Sequence, residues 1–575
     1  MYFQHAFYLL LGLLPSSLAA GIDPLEPGFV LKIPNKPPKF EGPDVAWSRP
    51  GGLIERPGEI WKDDEIWVYC DKYSYAVGEK VKIQVHTTAD VYDIDIVRDG
   101  YKPRTVYSKK DLPGVKQKTN DLPYSRGCGW NTTVTLDLDD SWESAFYLII
   151  VRIKEATGRP KEREGFFIVK SKERHASRGE AKGADMVLIH CTSTLNSYND
   201  WGGGNTYRGV PDGYLNDTTS FSLSTQRPIA RGMLRIQANA PRQSTMDYHV
   251  PRNWSPRYLN YEYAWYFRYS RHYADAGWAM YERPFTVWAE MEGYKLHHIT
   301  QADLHVDPDA LKGYKTAVIV GHDEYWSGKM RDTFDDWVEK GGQCARFAGD
   351  YLWQVRLSDD MKTQWCHKSE TDDPMGNTTM ATIAWDSVGR PVAASMGITG
   401  STGVYARYGV ATPRSHGGFQ VYRDKHWSLN NTDLYYGDVF GNSPINICAF
   451  ETDGADYTFK GGLPFATGTD GAPKDMDIIA MCLAVGGEED RFHGMQPIGS
   501  GFSSGSAVSN EASYGSGMVV NFKRGKGEIF NAGTCEWVSG LIKHDDMTMF
   551  VTRNVLNKFT GKNFTSPYDN PFDYY

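Results

Sequence analysis

The chain has 575 residues, of which 41% are hydrophobic, so it is long and apolar enough for two or three domains with buried cores. Its formal net charge of -9 argues against a nucleic-acid-binding protein, because such proteins present a basic surface. Beyond the N-terminus no stretch approaches the ~18 apolar residues of a transmembrane helix, so we expect no membrane span.

Residues 1–20 have the pattern of a secretory signal peptide, with an apolar core from Ala6 to Leu14 and small residues up to Ala20. A buried N-terminal helix is the alternative. Six glycosylation motifs agree with export. They lie at Asn131, Asn216, Asn253, Asn377, Asn430 and Asn563. We therefore predict a secreted, extracellular protein that carries N-linked glycans and starts near Gly21.

The number of cysteines is even, which fits an oxidising compartment. They are Cys70, Cys128, Cys191, Cys344, Cys366, Cys448, Cys482 and Cys535. None forms a C-x-x-C pair, which argues against a zinc ribbon. Cys70 and Cys128 are the two cysteines of the N-terminal region and the preferred disulfide. Cys344 lies in a predicted strand and is expected to be a buried free thiol.

Residues 21–44 are rich in proline and glycine and predict an extended leader. From 45 to 170 the predicted strands are short, alternate between apolar and polar residues, and are separated by turns such as Asp99-Gly100. Clear examples are Lys80–His86, Thr132–Leu138 and Phe146–Arg152. This pattern predicts an immunoglobulin-like β-sandwich domain. The charged residues 171–183 mark its boundary.

Strands and helices alternate in residues 184–560, which predicts a three-layer α/β domain with a mostly parallel sheet, followed by a C-terminal tail at 561–575. Its predicted elements are a strand at Met186–Cys191, a helix at Phe285–Gly293, a strand at Lys295–Thr300, a strand at Val318–Val320, a helix at Lys329–Lys340 and a strand at Gln343–Ala348.

The strongest functional signal follows the strand Val318–Val320. This strand ends at Gly321, and His322, Asp323 and Glu324 come directly after it. Ligands of open α/β sheets bind at the carboxyl ends of strands. We therefore expect the functional site here.

Two other patterns predict no site. Gly501–Gly505 fits a nucleophile-elbow motif, but no apolar strand precedes it and no helix follows it, so a loop is predicted. His297 and His298 are neighbours on a predicted strand and point to opposite faces, so they do not form a metal cluster with His305.

Two stretches resemble hallmark motifs of the N,N-dimethylformamidase large (beta) subunit-like family. The first runs from Thr192 to Gly203 and contains Tyr198, and the second is Gly321-His322-Asp323-Glu324-Tyr325-Trp326-Ser327. Shorter matches follow in the expected order. They are Tyr351–Arg356, Cys366–Lys368, Phe450–Asp453 and Gly527–Gly533 with Trp537. The resemblance extends from about Val68 to Thr560.

The resemblance implies a sandwich followed by a class I glutamine amidotransferase-like α/β domain. Gly321-His322-Asp323 contains no nucleophilic cysteine after the strand, so we expect this fold without thiol chemistry. It also implies amide hydrolysis at one iron ion held by two tyrosines and one glutamate. By motif, Glu324 and Tyr198 match metal ligands. The family pattern places an aromatic residue after an Arg-Pro pair, but here Ile229 follows Arg227-Pro228, and Tyr207 or Tyr214 is the expected substitute.

By the same resemblance, Lys368 and Glu451 match an auxiliary catalytic pair, as oxyanion stabiliser and general base. His322 is the third catalytic candidate. Each residue also has a structural alternative: an N-cap carboxylate for Glu324, a packed aromatic for Tyr198 and a mutual ion pair for Lys368 and Glu451. For His322 the alternatives are a loop-orienting imidazole and a zinc ligand beside Glu324.

We therefore predict a secreted, iron-dependent hydrolase that acts on a C–N amide bond of a small molecule. Phenolate and carboxylate oxygens suit a hard cation, which would act as a Lewis acid. Two alternatives belong to other classes. One is a carbohydrate-binding protein that stacks sugars on its aromatic residues, and the other is a glycan hydrolase that uses Glu324 and Glu451 as paired carboxylates.

Overall fold

The structure is a computed structural model and describes residues 55–58, 64–154, 160–172, 183–207, 220–237, 240–244, 259–406, 417–485 and 515–562. Several predictions concern residues outside these ranges. They are the signal peptide at 1–20, the leader at 21–44, the glycosylation motifs at Asn216, Asn253 and Asn563, Tyr214, the Gly501–Gly505 loop and residues 563–575 of the tail.

Two facing β-sheets form the N-terminal part of the described chain. Their strands are β1 (Ile66–Cys70), β2 (Ser74–Ala76), β3 (Lys80–Thr87), β4 (Val91–Arg98), β5 (Arg104–Pro113), β6 (Val134–Asp137), β7 (Ala145–Lys154) and β8 (Pro160–Lys170), with a short helix α1 (Pro123–Arg126). The sheet orders are β1-β3-β6 and β2-β8-β7-β4-β5. Alternate residues such as Val81, Ile83, Ile94 and Ile96 fill one core between the sheets. The N-terminal region is therefore all-β, as its alternating pattern predicted.

The remaining strands build a large sheet and smaller ones. They are β9 (Met186–His190), β10 (Ser222–Ser224), β11 (Leu296–Thr300), β12 (Thr316–His322), β13 (Tyr325–Ser327), β14 (Gln343–Gly349), β15 (Trp353–Leu357), β16 (Thr363–Trp365), β17 (Thr399–Ala406), β18 (Phe419–Val421), β19 (Val439–Phe440), β20 (Glu451–Gly454), β21 (Tyr457–Lys460), β22 (Leu463–Ala466), β23 (Asp477–Val485), β24 (Gly515–Arg524) and β25 (Gly527–Asn531). The large sheet has the order β11-β9-β12-β14-β25-β24-β23-β17-β20, with β18 and β19 at its side.

Helices cover both faces of the large sheet. They are α2 (Thr192–Tyr198), α3 (Leu259–Phe267), α4 (Arg283–Met291), α5 (Gln301–Val306), α6 (Gly328–Glu339), α7 (Ala393–Met396), α8 (Trp537–Ile542) and α9 (Asp546–Thr560). Val318 and Val320 of β12 pack with α4, α8 and α9 on one face. Ala317 and Ile319 pack with α5, α6 and α7 on the other face. Strand β12 is therefore buried on both sides, as its β-branched run predicted.

The prediction of a mostly parallel sheet is correct only for β11, β9, β12, β14 and β25. The strands β24, β23, β17, β20, β18 and β19 pair antiparallel. A parallel connection requires a long crossover, usually a helix, whereas antiparallel strands do not. In the described residues between β17 and β24, the helical structure is a single short turn at Trp427–Leu429. Within the part of the chain that the structure describes, the second half of the sheet therefore has no helix long enough for a parallel crossover.

The predicted bridge between Cys70 and Cys128 is wrong, because both residues are buried free cysteines. Side chains alternate along β1, so Cys70 points into the core between the two N-terminal sheets. Cys128 packs instead with Trp67 and Tyr69, whose side chains leave β1 on its opposite face. Cys344 is a buried free thiol in β14, as predicted. The disulfide of the structure joins Cys448 and Cys482, with a Cα–Cα distance of 6.5 Å.

We expect peptide mapping without reduction to recover Cys448 and Cys482 as one linked pair. Because the bridge joins positions 34 residues apart, replacing both cysteines by serine should lower the free energy of unfolding by about 4 kcal/mol in a denaturant titration. Cys344→Ala removes a buried thiol but no covalent link, so it is the control and should cost less. Rapid alkylation of all eight cysteines in the native protein would contradict this assignment.

Among the described residues, none of the helices is both long enough and apolar enough to cross a bilayer. The predicted helix after the polar loop is present as α6. Its predicted apolar residues Met330, Phe334, Trp337 and Val338 are buried. The Ser327 hydroxyl caps this helix by accepting a hydrogen bond from the amide of Met330 at 3.3 Å. Because Ser327 serves as the cap, Glu324 is not needed for that role.

Candidate active site

The candidate site lies at the carboxyl end of the parallel strands. Tyr198 ends α2, which follows β9, and Glu324 follows β12, the parallel neighbour of β9. Glu451 begins β20, and Lys368 follows β16. The structure brings all four side chains into one buried cluster, where Glu324 and Glu451 each contact His322. The sheet topology accounts for Tyr198 and Glu324, which follow neighbouring parallel strands. Lys368 reaches the same site from the smaller sheet that contains β16, and Glu451 reaches it from the first residue of β20.

Two tyrosine hydroxyls and the Glu324 carboxylate form the centre of this cluster. The Tyr198 hydroxyl donates to Oε2 of Glu324 at 2.8 Å, and the Tyr207 hydroxyl donates to Oε1 at 2.8 Å. The two hydroxyl oxygens are 2.9 Å apart. Adjacent oxygen ligands of an octahedral ion with ~2.0–2.1 Å bonds are about 2.9 Å apart. Three hard oxygen donors at these separations fit a hard metal cation.

The structure places Tyr207, one of the two expected substitutes for the second tyrosine, beside Tyr198 and Glu324. Ile229, which stands at the position where an aromatic residue was expected, packs in the core between the N-terminal sheets and the site. Asn205 positions both tyrosines, because its amide donates to the carbonyl of Tyr198 at 2.9 Å and its oxygen accepts from the amide of Tyr207 at 2.8 Å. Sequence reasoning named Tyr207 only as one of two substitutes; Tyr214 lies outside the described residues.

Arg227, two residues before Ile229, holds the loop that carries these tyrosines. Its guanidinium is fully buried and donates to the carbonyls of Asn199 at 2.7 Å and Trp201 at 2.8 Å. The same loop makes a tight turn at Gly202-Gly203, where both glycines have positive φ angles of 87° and 98°. The Arg-Pro pair therefore organises the loop rather than presenting a ligand.

The phenols of the site are held in the protonated form. Burial raises the pKa values of Tyr198 and Tyr207 well above the usual value of a tyrosine, and the negative charge of Glu324 raises them further. The same causes raise the pKa of Tyr325, whose hydroxyl lies 2.8 Å from that of Tyr207. Since the phenols keep their protons, each can donate a hydrogen bond to the Glu324 carboxylate.

Lys368 covers the open side of the cluster. Its ammonium donates to the Tyr207 hydroxyl at 3.0 Å and lies 3.6 Å from Oε1 of Glu324. It also sits 4.2 Å from the ring centre of Tyr207 and 4.5 Å from that of Trp353. Lys368 therefore pairs with Glu324 rather than forming the mutual ion pair with Glu451 that was the structural alternative.

His322 connects Glu324 with two further carboxylates. Its Nδ1 lies 2.7 Å from the carbonyl of Asp275, so Nδ1 carries a proton and Nε2 faces the carboxylates. Nε2 contacts Glu451 and lies 3.3 Å from Glu324 and 4.0 Å from Asp350. Burial lowers the pKa of His322, but the negative charges of Glu451 and Glu324 outweigh this and raise it well above its usual value.

Burial also shifts the pKa values of the two other carboxylates that face His322, those of Glu451 and Asp350. Burial raises the pKa of Glu451, and burial together with the charge of Glu451 raises that of Asp350. His322, Glu324, Asp350 and Glu451 place ligand atoms within 4.8 Å of one another, as do His322, Glu451 and Cys535. His322 and Glu324 thus have further potential metal ligands close by, which the sequence alone did not reveal.

Sequence reasoning missed Asp350 and Tyr325. Asp350 directly follows β14, so the rule that singled out Glu324 after β12 applies equally to it. His297, His298 and His305 do not form a metal cluster, as predicted. His297 contacts the Tyr314 hydroxyl at 2.9 Å, His298 contacts His190 at 2.9 Å, and His305 contacts the Ser327 hydroxyl at 2.7 Å.

Comparison with known proteins identifies one family. The family model described as "N,N-dimethylformamidase beta subunit-like, C-terminal" matches residues 92–548. No curated protein matches the chain. Several solved structures, among them the two that follow, are similar to short parts of it. The sporulation control protein Spo0M from Bacillus subtilis shares 13% identity at a TM-score of 0.15, over 20% of this chain and about half, 51%, of its own. The superoxide reductase (neelaredoxin) from Ignicoccus hospitalis shares 12% identity at a TM-score of 0.13, over 20% of this chain and 96% of its own.

Proposed function

Because the chain belongs to the N,N-dimethylformamidase beta subunit-like family, we propose that it is a metal-dependent hydrolase of C–N amide bonds in small molecules. The observation that carries this proposal is the convergence of Tyr198, Tyr207 and Glu324, whose oxygens lie 2.8–2.9 Å apart. These residues would hold the metal, for which the family and the hard donors favour iron. When bound, such a cation supplies Lewis acidity to a carbonyl oxygen and lowers the pKa of water.

Lys368 would stabilise the negative charge that develops on the amide oxygen. When water adds to the carbonyl carbon, the carbonyl oxygen becomes an oxyanion. The ammonium of Lys368 already lies 3.0 Å from the Tyr207 hydroxyl and 3.6 Å from Glu324, so it borders the place where the carbonyl would bind. A fixed cation in a buried site stabilises this charge more strongly than water does.

Glu451 would transfer the proton that the reaction requires. It accepts a proton from the attacking water, while the water oxygen bonds to the carbonyl carbon. The C–N bond then breaks and the leaving nitrogen takes the proton from Glu451, which yields a carboxylic acid and an amine. Burial raises the pKa of Glu451, which makes it a stronger base than an exposed glutamate. His322 orients Glu451 through their direct contact.

The phenol pair gives the proposal a spectroscopic test. Protein purified without a histidine tag should contain iron by elemental analysis and show a visible phenolate-to-metal band. Tyr207→Phe and Tyr198→Phe should each weaken or shift that band and reduce hydrolysis of N,N-dimethylformamide at least ~10-fold, since each removes one ligand. Tyr351→Phe removes a buried hydroxyl outside the site and is the control. A metal-free protein that is not activated by added iron would refute the proposal.

The glycan-hydrolase alternative has less support. Paired catalytic carboxylates stand on opposite sides of a glycosidic bond, about 5–10 Å apart. Glu324 and Glu451 instead contact the same imidazole nitrogen, and their ligand atoms lie within 4.8 Å. One observation favours the carbohydrate-binding alternative: Tyr435, Tyr436 and Phe459 are each at least half exposed. Retention on insoluble polysaccharide that Tyr436→Ala abolishes would support it.

We also propose the finer domain assignment and the secretion of the protein. The facing sheets support an immunoglobulin-like sandwich at 45–170, and the helix-covered sheet supports a glutamine amidotransferase-like domain at 184–560. The Cys448–Cys482 disulfide fits an oxidising compartment. Three glycosylation motifs lie in described residues, and their asparagines, Asn131, Asn377 and Asn430, are exposed. A mass shift on deglycosylation of secreted protein that starts near Gly21 tests both secretion and glycosylation.

A further inference from the structure

Lys368 lies near the start of a long loop, residues 366–384, that follows β16. Its backbone has a φ angle of 54°, in the left-handed region that residues other than glycine adopt rarely. Residues in such a conformation are fixed by their surroundings, and they occur most often at functional sites. The ammonium of Lys368 lies 3.0 Å from the Tyr207 hydroxyl. The contacts that fix this backbone therefore also determine where the ammonium lies in the site.

Thr382, near the other end of the loop, contacts the backbone at Lys368. The Lys368 amide donates to the Thr382 carbonyl at 2.9 Å, and the His367 amide donates to the Thr382 hydroxyl at 2.8 Å. The segment around Thr382 is tied to β15, because the Gln354 side chain donates to the carbonyl of Ala381 at 2.8 Å. Thr382 therefore connects the backbone of Lys368 with β15.

The carboxylate of Asp373, which is fully buried, holds Thr382 in this position. Its Oδ2 accepts from the amide and from the hydroxyl of Thr382, each at 2.7 Å. Because the hydroxyl proton points to Asp373, a lone pair of the same hydroxyl oxygen remains for the His367 amide. The two carboxylate oxygens also accept from the guanidinium of Arg356 at 2.7 and 2.8 Å, and Oδ1 accepts from the amide of Met375 at 2.9 Å.

We propose that Asp373 is a positioning residue, which places the Lys368 ammonium in the site by holding Thr382. Asp373 offers only acceptors, and each of its five hydrogen bonds comes from a donor. Asparagine has the same shape, but its amide nitrogen would face one of these donors, so Thr382 would lose part of its support. The role of Lys368 in hydrolysis rests on the proposed function, whereas its position does not.

The position of Lys368 can be measured by NMR without metal or substrate. In the full chain, labelled with ¹³C at the lysine ε-carbons, the Lys368 signal is assigned by its absence in Lys368→Met. The ammonium lies 4.2 Å from the ring centre of Tyr207 and 4.5 Å from that of Trp353, so ring currents should separate this signal from those of exposed lysines. Asp373→Asn should return the signal to the range of exposed lysines.

Two controls separate this effect from a general loss of structure. Lys558, in α9, lies 3.7 Å from the ring centre of Trp427, so its signal should also be shifted and should stay unchanged in Asp373→Asn. Asp303→Asn is the matched variant, because Asp303 is also a buried carboxylate in an ion pair, with a distance of 2.7 Å. It should leave the Lys368 signal where it is in the parent protein.

A second variant tests the same connection with a smaller change. Thr382→Val removes the hydroxyl but keeps the shape of the side chain, so it should displace the Lys368 signal in the same direction as Asp373→Asn. It carries the test if Asp373→Asn does not fold. A Lys368 signal that is unchanged in the folded variants would overturn the proposal, and so would an equal displacement in Asp303→Asn.

Kinetics then test whether the position of Lys368 matters for the reaction. Asp373→Asn should lower kcat for N,N-dimethylformamide about 10-fold and change KM little, because a displaced ammonium stabilises the oxyanion less. In the Lys368→Met background, Asp373→Asn should have no further effect on kcat, since both changes act through the same ammonium. Additive losses would overturn the proposal. A displaced Lys368 signal in a protein that hydrolyses no amide would support the positioning by Asp373 and refute the proposed function.

Discussion

Replacing Glu324 by glutamine is expected to remove the bound metal and to lower the amidase activity at least ~10³-fold, while the protein stays folded. Both carboxylate oxygens are engaged, one by each tyrosine, so Glu324 is the residue that links the two phenols into one ligand set. Glutamine has the same shape but no negative charge. Without that charge the two phenols would have to balance a cation alone.

Elemental analysis, the visible spectrum and hydrolysis of N,N-dimethylformamide measure the effect of Glu324→Gln. Glu292→Gln is the matched control, because Glu292 is similarly buried but pairs with Arg553 at 2.7 Å outside the site. The control should keep both metal and activity. A Glu324→Gln protein that retains the metal and an unchanged visible band would show that the ligand set is different.

Replacing Arg346 by methionine should lower the free energy of unfolding by about 3–5 kcal/mol. Arg346 is fully buried in β14 and forms two hydrogen bonds with Asp323, one of them at 2.9 Å. It also contacts Asp453 and donates to Asn531 at 3.0 Å. Methionine fills similar space but leaves two buried carboxylates without a counter-charge.

The loss of stability caused by Arg346→Met should depend on pH. Burial raises the pKa of Asp453 to about 7, although Arg346 opposes this effect. Without Arg346 the pKa of Asp453 in the folded variant should rise further above the pKa that Asp453 has in the unfolded chain. The folded variant therefore binds this proton more tightly than the unfolded chain does. Its stability should therefore decrease as the pH rises from about 4 to above 7, and the deficit relative to the parent should be larger at pH 8 than at pH 5.

Urea titrations at both pH values measure the penalty for Arg346→Met. Lys312→Ala removes one partner of an ion pair on the surface and is the control, because such pairs contribute little. Asp323 immediately precedes Glu324, and Asp453 lies two residues after Glu451. Arg346→Met should therefore also weaken the visible band expected for the metal. A variant with parental stability at pH 8 would mean that both aspartates are protonated or solvated in the native protein.

The position of Glu324 could be predicted from sequence because it depends on local structure. A β-branched run ends at Gly321, whose φ of 86° suits glycine and which packs against Tyr281 too closely for a side chain. Lys368 and Glu451 come from distant segments, and only the family resemblance connected them with Glu324. Tyr207 depends on Asn205 and on the loop held by Arg227, and such tertiary contacts leave no periodic pattern in the sequence.

The errors have a common physical origin. Proximity along the chain suggested Cys70 and Cys128 as a pair, but the alternation of side chains along β1 directs them to opposite sides. In the same way, the antiparallel pairing in the second half of the large sheet depends on contacts between strands, and no local sequence pattern specifies the direction of that pairing. Asp350 could have been predicted from the sequence. It follows β14 as Glu324 follows β12, and ligands of α/β sheets bind at the carboxyl ends of such strands.

The hydrogen bonds from Tyr198 and Tyr207 to Glu324 have a consequence for how the protein would acquire the proposed metal. Both phenols donate their protons to Glu324, so binding of an ion by these three residues would exchange a cation for protons. If both protons leave, the apparent affinity for the metal changes about 100-fold per pH unit. The acidity of the surroundings would then decide when the protein is loaded, and an acidic compartment would keep it inactive until it reaches a neutral one.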